Sequence, residues 1–169
     1  MDLQPTLQGK LLSLRPLRED ALEGLFSVAC DPLIWELHPA RDRYQRPVFE
    51  EFFRQAIASK SALALLDATN GTIIGTSRFA SWPDDSEALE IGWTFPAREF
   101  WGGAYNAELK RLMLEHAVRF VKKVLFLADS QNHRSRRALA KIGAVAVGSQ
   151  AGTSGHENLI YEVCRRAEG

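Results

Sequence analysis

An α/β (α+β) architecture, with a mixed and mostly antiparallel sheet of about seven strands and helices on both faces, is the fold class this sequence predicts. Three observations carry the expectation. Three strand candidates follow one another over residues 62–95, the first two joined at Asn70-Gly71, a strong hairpin signal. Residues 88–129 read as strand, glycine-rich turn, helix and strand, a βαβ unit whose strands run parallel. Apolar residues recur at helical spacing in segments placed between the strand candidates.

Each element has its own signal. In "GKLLSLRPL" (9–17), Leu12 and Leu14 alternate and Pro16 stands near the end, which reads as a strand. In "REDALEGLFSVAC" (18–30), Leu22, Leu25, Phe26 and Ala29 make one helical stripe, broken by Asp31-Pro32. Residues 31–46 are irregular and rich in Trp, His, Arg and Tyr. Pro47 suits a first helical position, and Phe49, Phe52, Phe53 and Ile57 form the next stripe. "ALALLD", "TIIGTSRFA" and "ALEIGWTF" (88–95) are the three consecutive strands. A helix is expected over about 106–121, with Leu109, Leu112, Met113, Ala117, Phe120 and Val121 on its apolar side. "KVLFLAD" (123–129) is a short apolar run typical of a buried strand. "HRSRRALAKIG" (133–143) is a helix stopped by Gly143, and strands near 144–148 and 158–164 finish the chain.

Composition bounds the function. The chain has 169 residues, 46% hydrophobic and 25% charged, enough for one globular domain over residues 1–169 with a sizeable core. Twenty-one basic and 21 acidic residues balance, so the broad basic excess of a nucleic-acid binder is missing. Two cysteines, Cys30 and Cys164, make no disulfide framework and suit a reducing compartment. The N-terminal stretch lacks the basic and apolar regions of a signal peptide, and no apolar run reaches membrane-spanning length. A cytoplasmic protein without a membrane partner is expected. No His/Cys cluster has metal-ligand spacing, so no metal is expected either.

The stretch "EFWGGAYNAELKRLM" (99–113) puts two glycines and an alanine immediately before a helix. It supplies neither a dinucleotide fingerprint nor a Walker loop. It fits a less specific anion site, where small residues let a phosphate reach the unpaired N–H groups of the helix N-terminus. A plain strand–helix turn with a positive-φ glycine explains it equally well. Asn106 reads as an N-cap residue and Glu108 as a first-turn acid.

"NHRSRRALAKIGA" (132–144) adds an Asn with a Ser three residues on, then Lys-Ile-Gly at the helix end. Together with "EIGWTF" and the glycine turn, it resembles the GNAT superfamily of acyl-CoA-dependent N-acyltransferases. Within that superfamily it is similar to the branch of ribosomal-protein N-terminal acetyltransferases. The resemblance implies that the fourth and fifth of the seven strands splay apart around the pantetheine of acetyl-CoA. The pyrophosphate loop of the family, usually Q/R-x-x-G-x-G/A, falls on Trp101, Gly102, Gly103, Ala104, Tyr105 and Asn106. Trp101, Ala104 and Asn106 depart from that pattern, but a loop that binds through backbone N–H groups retains them. The implied activity is acetyl transfer from acetyl-CoA to a primary amine, by direct attack in a ternary complex. The amine belongs to a small molecule or to a protein N-terminus.

The resemblance also suggests roles. Glu90, in the fourth strand, is the candidate base, with alternation placing Ala88, Glu90, Gly92 and Thr94 on one face. A structural or exposed glutamate is the plainer alternative, and Glu87 and Asp85 are other carboxylates within reach of a cationic amine. Backbone N–H groups of Trp93, Thr94 and Phe95 are the implied oxyanion donors and pantetheine partners. The tyrosine that many members place seven residues after the asparagine is Leu139 here. Ser135 is the nearest substitute acid, or simply a hydrogen-bonding partner of CoA or the helix. Asn132 starts its helix and can bond pantetheine. Arg134, Arg136 and Arg137 form a basic patch, with Arg137 a candidate for the CoA 3′-phosphate unless it is merely solvated. Trp35, His38, Arg41, Tyr44, Trp82 and His156 are candidates to line the acceptor pocket, although tryptophans are more often core. A homodimer is common in this family, and nothing in the sequence requires one. The alternative reading is a catalytically inactive acyl-CoA-binding regulatory domain; an interaction domain that binds no CoA is a third.

Overall fold

The computed structural model describes residues 1–164. Eight strands form one sheet in the order β1-β2-β3-β4-β5-β6-β8-β7. They are β1 (Leu7–Gln8), β2 (Leu12–Pro16), β3 (Ala62–Asp67), β4 (Ile73–Ser81), β5 (Ala88–Pro96), β6 (Lys123–Asp129), β7 (Val145–Ala151) and β8 (Glu157–Cys164). The helices are α1 (Leu22–Ala29), α2 (Arg46–Ala58), α3 (Ala104–Ala117) and α4 (His133–Lys141). Every strand pair is antiparallel except β5 and β6, which α3 connects in parallel.

The sheet buries both faces, as its apolar patterning requires. Leu63 and Leu65 of β3 and Leu89 and Ile91 of β5 pack with Leu109 and Met113 of α3. Ala62 and Ala64 point the other way, toward Leu25 of α1 and the Phe49, Phe52 and Phe53 stripe of α2. That alternation is the two-residue period of a strand covered by helices on each side.

The expected seven strands become eight because the unpredicted β1 precedes the first predicted strand, which itself begins only at Leu12. Residues 9–11 form a turn between β1 and β2. The Glu108 carboxylate reaches across from α3 and accepts the N–H groups of Lys10, Leu11 and Leu12, at 2.9, 2.7 and 3.0 Å. Burial pushes its pKa up, but the three N–H donors outweigh that and hold it below the ordinary glutamate value. Glu108 thus ties the first hairpin to α3 rather than simply complementing the helix dipole. The third predicted helix also shifts. α3 runs over Ala104–Ala117, so Phe120 and Val121 follow it, and Phe120 is exposed. Cys30 and Cys164 are free thiols at the surface.

Lys110 of α3 is buried, with its ammonium 4.9 Å over the Phe126 ring and no carboxylate partner among the described residues. Burial lowers its pKa from 10.5 to about 8. Between those values the unfolded chain holds more protons than the native one, so stability rises with pH across that window. Replacing Lys110 with Met removes the buried charge. The variant should be more stable near neutral pH by about 1–3 kcal/mol and lose the rise toward about pH 10, as read by urea unfolding at both pH values.

Candidate active site

The site begins where β5 parts from β6. Ala88, Leu89 and Glu90 pair with Lys123, Val124 and Leu125, and the ladder then stops. Beyond Glu90, the β5 edge that faces β6 has no strand partner among the described residues. β5 stays bound to β4, but with a register shift: Arg78 pairs with Gly92 and Thr76 with Phe95. The extra residue is taken up around Trp93, whose φ is +52°. The bulge reverses the alternation that the sequence predicts. Phe95 joins Glu90's face and packs on Trp35 and Phe52. Thr94 turns to the α3 face, where its hydroxyl meets that of Ser77 at 2.7 Å. The expectation that Thr94 shares a face with Glu90 is therefore corrected.

Glu90 is half-buried at the head of this gap. Burial raises its pKa, and the nearby Arg78 charge opposes the rise only in part. Its carboxylate folds over Gly92, where a Cβ would stand 3.0 Å from Oε1. The other carboxylates considered are engaged elsewhere. Asp85 accepts from Lys123 Nζ at 3.0 Å and Glu87 pairs with Lys122 at 2.5 Å, both in the loop at the opposite end of β5. Trp82 belongs to that same loop.

At the far end of the gap, Trp101 and the glycines lead into α3. Gly102 has φ +68°, and a Cβ there would meet nothing within 4 Å, so the turn is open on its outer side. α3 starts at Ala104, and its N-cap is Gly103, which brings no capping side chain. Asn106 lies inside the first turn, so the expected Asn106 cap is not formed. The first-turn N–H groups, which have no partner within a helix, thus face an open turn built of small residues. Tyr105 packs on Phe100, with ring centroids 4.7 Å apart.

α4 closes the other side. Asn132 caps it, accepting the Ser135 N–H at 3.1 Å. The Ser135 hydroxyl makes no hydrogen bond among the described residues. The three arginines that the sequence groups as a patch separate. Arg134 lies 3.6 Å over the Trp101 ring and donates to the Ile34 carbonyl at 3.3 Å. Arg136 donates to Tyr161 Oη and to the Ser130 carbonyl. Arg137 alone is exposed without an ion-pair partner among the described residues. Leu139, where a tyrosine is common in the family, is buried in the core.

The acceptor candidates also divide. Trp35 is 1% exposed, and its Nε1 donates to the Ala29 carbonyl at 2.8 Å. It supports the pocket from the core and does not line it. His38 packs edge-on against Trp35. Burial, with the charge of Arg43, pushes its pKa down to about 4. Its Nδ1 accepts the Ala40 N–H at 2.9 Å, so the neutral ring carries its proton on Nε2. Arg41 and Tyr44 are exposed on the neighbouring turn. His156 Nδ1 lies 3.7 Å from Asp129, the last residue of β6.

Asp129, Arg78 and Arg43 are residues the sequence reading missed. Asp129 is buried and accepts from Ser154 Oγ and from the Gln131 N–H. Burial pushes its pKa up, but these donors hold it below the ordinary value. A charged residue ending an apolar strand, and one set inside "TIIGTSRFA", were the available signals.

Residues 12–145 match a family model described as an acetyltransferase (GNAT) domain. The chain belongs to the GNAT acetyltransferases. No curated protein sequence matches it significantly. Among solved structures, a GCN5-related N-acetyltransferase from Brucella melitensis aligns with TM-score 0.83 at 16% identity, over 95% of this chain and 79% of that one. Mycobacterium smegmatis RimJ, solved with CoA-disulfide, gives 0.75 at 15% identity, over 95% and 87%. Spermidine N-acetyltransferase from Vibrio cholerae, solved with CoA and spermine, gives 0.71 at 14% identity, over 92% and 96%. At these identities the likeness establishes the GNAT fold. No helix among the described residues is long and apolar enough to cross a membrane, and no cluster of metal-ligand type occurs among them.

The contact between Gly92 and Glu90 yields a prediction for this GNAT site. A Gly92→Ala methyl group must push the Glu90 carboxylate aside by a few tenths of an ångström. Steady-state acetyl transfer should fall by about tenfold to a hundredfold, while acetyl-CoA affinity stays the same.

Proposed function

We propose that this protein is an acetyl-CoA-dependent N-acetyltransferase that acetylates a primary amine by direct attack within a ternary complex. The observation that supports it best is the gap between β5 and β6, with half-buried Glu90 at its head. An uncapped helix N-terminus on an open glycine turn stands at its far end. One end suits proton removal and the other suits a pyrophosphate.

Acetyl-CoA, when bound, supplies the thioester whose acetyl group is transferred. Gly102, Gly103 and the first turn of α3 hold its pyrophosphate through backbone N–H groups. The unpaired edge of β5 from Trp93 to Phe95 bonds the pantetheine, as does Asn132. Glu90 takes the proton that the acceptor ammonium must lose before its nitrogen can attack, directly or through a water. Backbone N–H groups of β5 beyond Glu90 donate to the carbonyl oxygen on which negative charge develops. Ser135 is within the same cleft wall and returns a proton to the departing sulfur, or solvent does so, because a thiolate is a good leaving group. The acceptor enters on the face of Glu90, bounded by His38, Arg41, Tyr44 and His156.

Two variants test this reading. Ala104→Glu puts an acid in the first turn of α3, where it favours the helix and repels a phosphate. Calorimetry should show acetyl-CoA binding in the parent and none in the variant, with thermal stability kept. Glu90→Gln should keep acetyl-CoA binding and lower kcat/KM for the amine by about 10²–10⁴-fold. The parent's rate should fall on the acid side of a pH above the ordinary glutamate value, and the variant should lack that limb. Binding of acetyl-CoA without turnover of any amine would point to the regulatory-domain alternative.

A further inference from the structure

We propose that Arg43 and Arg78 form an oxyanion site for the acceptor, so that the preferred amine carries a carboxylate or phosphate a few bonds from its nitrogen. The inference rests on the reading of Glu90 as the group that meets the amine.

Arg78 projects from β4 on the same face as Glu90. It is registered against Gly92, two residues along β5 from Glu90, a separation of about 6.6 Å at strand rise. Its guanidinium carbon lies 3.7 Å from the centroid of the Trp93 ring. Arg43, from the turn before α2, lies 4.5 Å over Phe52 and 5.2 Å over Trp35. Those rings carry Phe95, which the bulge brings to this face. The rings hold each guanidinium by cation–π contact and take up none of its N–H donors, the groups that grip a carboxylate or phosphate.

Neither fork is used. Among the described residues, no side-chain hydrogen bond or ion pair is formed by Arg43 or Arg78. Arg78 Nε is buried without any partner. Exposed Arg137 also lacks an ion pair, but water solvates it, whereas Arg43 and Arg78 are half-buried. Arg46, Arg54, Arg98 and Arg111, each at least 42% exposed, all pair with carboxylates. Here two half-buried guanidiniums rest on rings gathered at the β5 bulge, Arg43 on those that pack Phe95 and Arg78 on Trp93, with no carboxylate within bridging distance, although the charges of Asp42 and Glu90 reach them. Burial and the Arg78 charge lower the Arg43 pKa to about 10. Such an arrangement costs free energy by itself and is relieved by an anion.

The spacing limits the ligand. The Glu90 carboxylate folds back over Gly92, the residue registered against Arg78, so an amine at Glu90 and an oxyanion at Arg78 belong to one small ligand such as an α-amino acid or an aminoalkyl phosphate. A polyamine would bring cations to both ends and meet Arg43 and Arg78 with like charge.

Two measurements test the proposal separately from the activity. In the first, glycine and inorganic phosphate are titrated into the protein saturated with CoA, which fills the cofactor site without acetylating glycine, and followed by NMR. Saturable millimolar binding is expected, reduced at least about tenfold in Arg43→Met and in Arg78→Met, with acetyl-CoA affinity unchanged. Arg78→Lys should keep part of the binding, since it retains the charge but not the fork. In the second, initial rates are compared for matched amines: alanine with alaninamide, phosphoethanolamine with ethanolamine, and spermidine. The anionic member of at least one pair should lead by about tenfold or more in kcat/KM, mainly through KM, and both Met variants should erase that lead. Whichever pair leads tells carboxylate from phosphate. The proposal is overturned if neither anion binds the parent, if the Met variants bind anions as well as the parent, or if neutral amines or spermidine are preferred. Failure of acetyl-CoA itself to bind would instead overturn the acetyltransferase reading.

Discussion

The site depends on one backbone event, the bulge at Trp93. A non-glycine residue at positive φ costs of the order of 1–3 kcal/mol, and the residues that follow offset it. The bulge turns Phe95 into the core beneath α2, where full burial of a phenylalanine contributes about 1.5–3 kcal/mol. The Trp35 and Phe52 rings lie 4.8 and 5.8 Å from it. β5 is thereby drawn toward α1 and α2 just past Glu90, while β6 continues straight alongside β8 over its full length. The two strands cannot both satisfy those partners and each other, so they part. The gap is held open by packing on each side.

The far end of the gap is fixed as well. Trp101 is anchored by its Nε1 bond to the Pro96 carbonyl at 3.1 Å. Arg134, from the first turn of α4, stacks on the same ring. The stack joins the segment after β5 to the helix after β6, across strands that no longer pair. Where the family pattern has a long polar side chain, this chain has an aromatic platform. An arginine supplied from the opposite wall lies on it. The glycine turn that follows is then positioned by Trp101 while its own N–H groups remain open.

Much of this architecture is written in the sequence at short range. Alternation, helical stripes, the Asn70-Gly71 hairpin and the βαβ order all depend on neighbours within a few residues, and the structure has them. What the sequence does not display is long-range. The Glu108 bonds to residues 10–12 join positions almost a hundred residues apart, so the turn that delays the first predicted strand had no local sign. The bulge has no local sign either, because "EIGWTF" alternates smoothly, and a face assignment that ignores it fails from Thr94 onward. Trp35 was an ambiguous tryptophan until its ring could be seen beneath Phe95. The glycine turn and Asn132 were legible because a turn and a cap are local. Arg43 and Asp129 were not, because their meaning lies in what faces them across the sheet.

The two acids on this face show how environment divides the work. Glu90 and Asp129 stand on opposite sides of the gap, one on β5 and one on β6. Burial dominates at Glu90 and raises its proton affinity, whereas Ser154 and the Gln131 N–H hold Asp129 ionised. Groups whose environments push their pKa values apart take different parts in acid–base chemistry. Asp129 already has its donors and gains little from a further proton. His38 is no rival for the amine proton, because Nδ1 is occupied by the Ala40 N–H and Nε2 carries hydrogen. The neutral imidazole can only donate there. Among the described titratable groups on this face, the raised proton affinity of Glu90 is what suits it to the proposed deprotonation of an ammonium.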